Sequence, residues 1–86
     1  MKDEMKQLNL KIESATGTIE KKFNENEPVK AVKVSAMAQL HIDPSTAGNF
    51  ALLFNGDQLD ENKTLAELGI PDGAILRIAP LRAEVV

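Results

Sequence analysis

Only one long segment of the chain, residues 28–41, shows helical spacing, and this single helix constrains the fold most strongly. Its apolar residues recur at intervals of three and four: Val29, Val32, Ala36, Met37 and Leu40. Pro28 suits a first helical position, where its missing N–H is not needed. Lys30, Lys33 and Gln39 are expected on the opposite, polar side. Because one amphipathic helix cannot enclose a core, the flanking segments must supply strands to cover its apolar face.

The segment before the helix predicts a β-hairpin. Apolar residues alternate with polar ones at Leu8, Leu10 and Ile12, the period of a strand that buries one face. Residues 14–17, Ser-Ala-Thr-Gly, supply a turn, and residues 18–23 resume the strand pattern, so the two strands should pair antiparallel. Lys21 falls on the apolar side of the second strand, and its ammonium group is expected to extend past a sheet edge.

The segment after the helix predicts three further strands. They are an apolar run at residues 50–54, a short return strand at Gln58 and Leu59, and a last strand at residues 74–79 that ends at Pro80. The tight connections are Asn55-Gly56, which is the strongest hairpin signal in the chain, a brief helical turn at residues 64–68 ended by Gly69, and a turn at Pro71-Asp72-Gly73.

This order of elements indicates one two-layer α+β domain. A chain of 86 residues is long enough for a single core and too short for two. We expect a flexible leader at residues 1–7, the domain at residues 8–80 and a tail at residues 81–86.

Composition argues against several classes of function. A net charge of −3, with the lysines interspersed among acids, favours neither nucleic acid nor an anionic membrane as a partner, and no apolar stretch is long enough for a membrane span. The chain has no cysteine and one histidine, His41, so we expect no metal and no cofactor. Asp60 and Glu61 are expected in a solvated loop and not in acid–base catalysis. We expect a cytoplasmic protein that is not an enzyme.

The second half of the sequence resembles ubiquitin-like domains. Residues 52–59 are Leu-Leu-Phe-Asn-Gly-Asp-Gln-Leu, and they are followed by Thr64-Leu65 and by residues 68–78, Leu-Gly-Ile-Pro-Asp-Gly-Ala-Ile-Leu-Arg-Ile. A weaker resemblance extends back to Leu8. It implies the ubiquitin-like β-grasp fold, an α+β fold with one main α-helix packed across a mixed four- to five-stranded sheet. The implied core positions are Leu8, Leu10, Ile12, Val29, Val32, Leu40, Leu52, Phe54 or its neighbour, Leu59, Leu65, Ile70, Leu76 and Ile78.

The resemblance also implies where partners bind. The main recognition surface of the family is an apolar patch on the outer face of the sheet, and its matches in this sequence are Ala15, Leu53 and Ala79. Ile75 and Arg77 lie beside them on the last predicted strand. Two alanines make the patch shallow, so ordinary ubiquitin receptors should bind it poorly. A single exposed leucine is also common on surfaces that bind nothing.

The end of the sequence departs from the family pattern. Conjugated members end in two glycines, whereas the possible conjugation tail here is Leu81, Arg82, Ala83, Glu84, Val85 and Val86. Asp57 stands where the family commonly has a lysine for chain building. Three hypotheses remain: an adaptor that binds other proteins through its sheet, a modifier activated at its C-terminus by activating and conjugating enzymes, and an accessory subunit of a larger enzyme or secretion complex.

Overall fold

The structure, a computed structural model, describes residues 6–81. Within that range it contains five strands and one α-helix. The elements are β1 (Gln7–Ser14), β2 (Gly17–Asn24), α1 (Val29–Gln39), β3 (Phe50–Phe54), β4 (Asp57–Gln58) and β5 (Ile75–Pro80), with a 3-10 helix (Pro44–Asn49) between α1 and β3. The sequence did not predict the 3-10 helix, because Pro44 was interpreted only as a stop signal. The Asp43 side chain starts this helix by accepting a hydrogen bond from the Ser45 N–H.

The five strands form one mixed sheet in the order β2-β1-β5-β3-β4. β1 and β5 pair in parallel at the centre, and the other neighbouring pairs are antiparallel. The β3–β4 turn has positive φ at Asn55 and Gly56, 55° and 85°, as an Asn-Gly hairpin requires. This topology, with α1 across one face, confirms the predicted α+β fold.

The core lies between α1 and the inner face of the sheet. Every core position implied by the resemblance is buried except Phe54, which is half-buried and packs against the others. Lys21 lies opposite Leu10 on edge strand β2, and its Nζ is 5.3 Å from the ring centroid of Phe23. The methylene groups of Lys21 therefore lie beside the apolar residues, and its charged ammonium group remains at the edge of the sheet.

The chain leaves helix α1 through a residue in the left-handed conformation, His41, two residues after the last helical residue, Gln39. His41 has φ 62°, its N–H donates to the Ala38 carbonyl, and the Ile42 N–H donates to the Met37 carbonyl at 2.8 Å. This is the Schellman arrangement, in which histidine occupies a position that glycine usually takes. The Thr16 hydroxyl also donates to the Leu40 carbonyl at 3.1 Å, which ties the β1–β2 turn to the end of the helix.

Lys33 corrects the prediction that it lies on the polar side of α1. Its side chain is 2% exposed, and its ammonium group donates to the carbonyls of Ala47 at 2.8 Å and Phe50 at 2.9 Å. The third acceptor is the carboxylate of Glu61. The expectation that Glu61 lies in a merely solvated loop is therefore also wrong. One buried cation joins α1, the 3-10 helix, the start of β3 and the loop after β4.

Replacing Lys33 with methionine should destabilise the fold by about 3 kcal/mol, because two carbonyls and a carboxylate lose their shared donor. Glu61→Gln should cost less, about 1 kcal/mol, since the Glu61 side chain is 33% exposed and water replaces part of the lost contact. Urea denaturation would measure both. The matched control is Lys30→Met on the exposed side of α1, which should change the free energy of unfolding by less than about 0.5 kcal/mol. Equal stability of Lys33→Met and the wild type would contradict this account.

Candidate functional site

The outer face of the sheet carries most of the predicted binding residues. Side chains alternate along a strand, so burial of Leu52, Leu76 and Ile78 on the inner face turns Leu53 and Arg77 outward. The register places Leu53 of β3 directly opposite Arg77 of β5. Ile75 and Ala79 precede and follow Arg77 by two residues, so they share its face. The structure therefore brings four of the five predicted residues together.

Leu53 and Arg77 form the middle of this face. Leu53 is half-buried and Arg77 is exposed. On the other side of Arg77, Glu13 of β1 is its register partner, and Arg77 Nη1 lies 3.8 Å from Glu13 Oε1. Both side chains are largely exposed, so this ion pair is weak and free to exchange for another partner. The centre of the face thus offers an apolar side chain beside a displaceable guanidinium group.

Ile75 is the more exposed apolar residue of the face. Its side chain is 52% exposed, and its register partner is Lys11 of β1. It borders a surface hollow of about 510 Å³ that also contacts Asn9, Lys22 and Gly73. Sequence reasoning missed Lys11 and Lys22 as site residues, although the alternation that buries Leu10 and Ile12 already turns Lys11 outward.

Ala15 does not join the other predicted residues. It lies in the β1–β2 turn and lines a separate hollow of about 370 Å³ with Ile42, Phe50 and Pro80. Of the predicted tail only Leu81 is described, and its side chain is 46% exposed. The other tail positions, residues 82–86, lie outside the described residues.

Asp72 fixes the loop that leads into β5 and so positions Ile75. Its Oδ1 accepts hydrogen bonds from the Asn9 backbone N–H at 2.7 Å and from Asn9 Nδ2 at 3.0 Å. The Gly73 N–H donates back to the Asn9 carbonyl at 2.7 Å. The two hydrogen bonds from Asn9 hold the pKa of Asp72 below its ordinary value, and the bond from the Asn9 backbone N–H contributes more than the bond from the Asn9 side chain.

The described part of the chain offers no metal site, since no three His, Asp or Glu side chains in it cluster closely enough to hold an ion. None of the helices within residues 6–81 has both the length and the apolar content that crossing a bilayer requires.

A helix packed across a five-stranded mixed sheet with this topology defines the ubiquitin-like class of domains, which are generally non-enzymatic modules that interact with other proteins. The family model Rad60-SLD, described as "Ubiquitin-2 like Rad60 SUMO-like", matches residues 7–79, and the chain belongs to this family. A search of curated proteins found no match.

Solved structures show the same fold. The ubiquitin of Caldiarchaeum subterraneum superposes with a TM-score of 0.74 at 24% identity, covering 93% of this chain and 100% of the other. The N-terminal ubiquitin-like domain in the 4931431F19Rik protein superposes with a TM-score of 0.75 at 20% identity, covering 100% of this chain and 86% of the other. At these identities the likeness concerns the fold alone.

The Asp72 contact predicts an acid-dependent loss of stability. Because the folded-state pKa lies below the unfolded value of about 3.9, ionised Asp72 stabilises the fold above that pH, and its contribution is lost as the pH falls through the folded pKa. The stability difference between wild type and Asp72→Asn should therefore shrink in acid, as measured by urea denaturation at a series of pH values. Asn9→Ala, which keeps the backbone donor, should show a weaker pH dependence than wild type. A difference that stays constant with pH would refute this assignment.

Proposed function

We propose that the chain is a cytoplasmic, non-catalytic adaptor that binds another protein through the outer face of its sheet. The observation that carries the proposal is the juxtaposition of Leu53 and Arg77 on neighbouring strands of that face. The class of fold supports protein binding in general, and the arrangement of these two side chains supports this particular surface.

The chemistry of the face suits a modest, reversible contact. Burying the remaining exposed part of Leu53 would contribute up to about 1.5 kcal/mol, since a fully buried leucine contributes about 1.5 to 3 kcal/mol. Arg77 adds a fork of donors that matches a carboxylate on a partner. Ala79 is small and only half-buried, so the face is shallow at that end.

The rigidity of the surface also supports the proposal. β3 and β5 pair over five residues, from Phe50 opposite Pro80 to Phe54 opposite Leu76. Side chains on paired strands lose little further freedom when a partner binds, and preorganisation of this kind improves affinity. The modifier hypothesis depends instead on the tail, residues 81–86, of which only Leu81 is described. The outer face itself fits a modifier as well as an adaptor.

Leu53→Asp should abolish partner capture while the domain stays folded, because it places a charge where the partner's apolar surface would lie. The measurement is affinity capture from cells of the source organism with immobilised domain, followed by quantitative mass spectrometry. The loss expected for a central contact is at least about tenfold, equivalent to about 1.4 kcal/mol.

The matched control is Ala31→Asp, which adds the same charge to an exposed position in the first turn of α1, where an acid is compatible with the helix dipole. This variant should capture the same partners as wild type. Circular dichroism must show both variants folded. Unchanged capture by folded Leu53→Asp would overturn the proposed surface.

A further inference from the structure

The hollow beside Ile75 combines an exposed apolar side chain with an excess of cations. Ile75 is the most exposed large apolar side chain among residues 6–81. The outer-face residues that line the hollow include two lysines, Lys11 and Lys22, and one glutamate, Glu20. Lys21 also borders the hollow, but its side chain lies on the inner side beside Phe23. The formal charge of the outer-face residues is therefore two minus one, or +1, on a chain whose net charge is −3. This end of the face therefore differs in sign from the molecule as a whole.

Two of these lysines are available to a partner. The ion pairs within 4.0 Å among residues 6–81 are Lys33–Glu61 and Arg77–Glu13, so neither Lys11 nor Lys22 is in one. Glu20 is the register partner of Lys11 across the β1–β2 ladder, but the two charged groups are not within that distance. Asp72 is close enough to Lys22 to feel its charge, but its carboxylate already accepts two hydrogen bonds from Asn9.

The register sets the spacing of the apolar and charged groups. Lys11 is the partner of Ile75 across the parallel β1–β5 ladder, and Lys22 faces Asn9, two residues before Lys11, across the β1–β2 ladder. Gly73 also borders the hollow, and its φ of 86° is one that glycine adopts readily.

We propose that this hollow receives an aliphatic side chain from an acidic protein surface, whose carboxylates pair with Lys11 and Lys22. The inference rests on the proposed function and deepens it, because it assigns a second apolar anchor to the Ile75 end of the face, in addition to Leu53. The phosphates of a nucleic acid could pair with Lys11 and Lys22, but a nucleic acid offers no aliphatic group to contact Ile75. It would therefore have no reason to bind at this hollow in preference to other exposed lysines.

The test uses a synthetic peptide, one leucine flanked on each side by three glutamates, titrated into isotope-labelled protein and followed by amide chemical shifts. The expected result is saturable shifts centred on Lys11, Lys22 and Ile75. Raising the salt from about 50 mM to about 300 mM should weaken binding severalfold, since exposed charges are screened within about a Debye length. A peptide with serine in place of leucine should bind about tenfold more weakly.

Charge reversal provides the matched comparison. The double variant Lys11→Glu/Lys22→Glu should weaken peptide binding at least about tenfold, whereas Lys30→Glu/Lys63→Glu, which makes the same charge change at exposed positions outside the outer face, should bind within about twofold of wild type. Equal losses in the two double variants would show general attraction to lysines and would overturn the proposal. So would shifts centred away from the hollow, or no shifts at all.

The same variants separate this inference from the proposed function. If a partner captured by wild type is lost with Leu53→Asp but retained by Lys11→Glu/Lys22→Glu and by Ile75→Ser, the hollow is not an anchor site and the adaptor proposal stands. If all of these folded variants retain the partner, the outer face is not the docking surface and both proposals fail. Loss of the partner in Ile75→Ser together with Lys11→Glu/Lys22→Glu supports the inference.

Discussion

A single buried ammonium group holds together the part of this domain that has the least regular structure. The segment between α1 and β5 contains only short strands, a 3-10 helix and turns, so few ladder hydrogen bonds hold it in place. Lys33 binds the carbonyls of Ala47 and Phe50 and the carboxylate of Glu61, which come from three separate places in that segment. A charge in the interior is tolerated only when it is fully hydrogen-bonded, so the cation requires these three places to meet at one point. This contact fixes the start of β3, and the ladder with β5 then positions Leu53.

The one-sided core explains how the fold produces a binding surface. One helix covers the inner face of the sheet and supplies the apolar contacts that a domain of this size needs. The central parallel pairing of β1 and β5 then brings residues from the beginning and the end of the described chain side by side on the other face. Glu13 meets Arg77 there, and Lys11 meets Ile75. The resulting face is rigid and mixed in charge, which suits the binding of another protein.

Sequence patterns predicted the regular elements well because each rests on a local signal. Alternation identified β1, the Asn55-Gly56 turn identified the β3–β4 hairpin, and the spacing of Val29, Val32 and Leu40 identified α1. Lys33 was misplaced although it stands four residues from both Val29 and Met37, squarely on the apolar stripe, because its acceptors are backbone carbonyls and a distant carboxylate that no local pattern reveals. The hollow beside Ile75 was missed for a similar reason, since it depends on which residues of β1, β2 and β5 become neighbours. Ala15 was grouped with Leu53 by family resemblance, whereas the structure places it beside Ile42 and Phe50.

A partner that docks on the outer face leaves α1 untouched. Methyl cross-saturation would test it most directly, with methyl-labelled domain bound to an unlabelled partner recovered by the wild type. The methyl signals of Leu53 and Ile75 should be attenuated, whereas those of the buried methyls of Val32 and Leu65 should not. Attenuation confined to Val34, the half-buried valine of α1, with Leu53 and Ile75 unaffected, would contradict docking on the outer face.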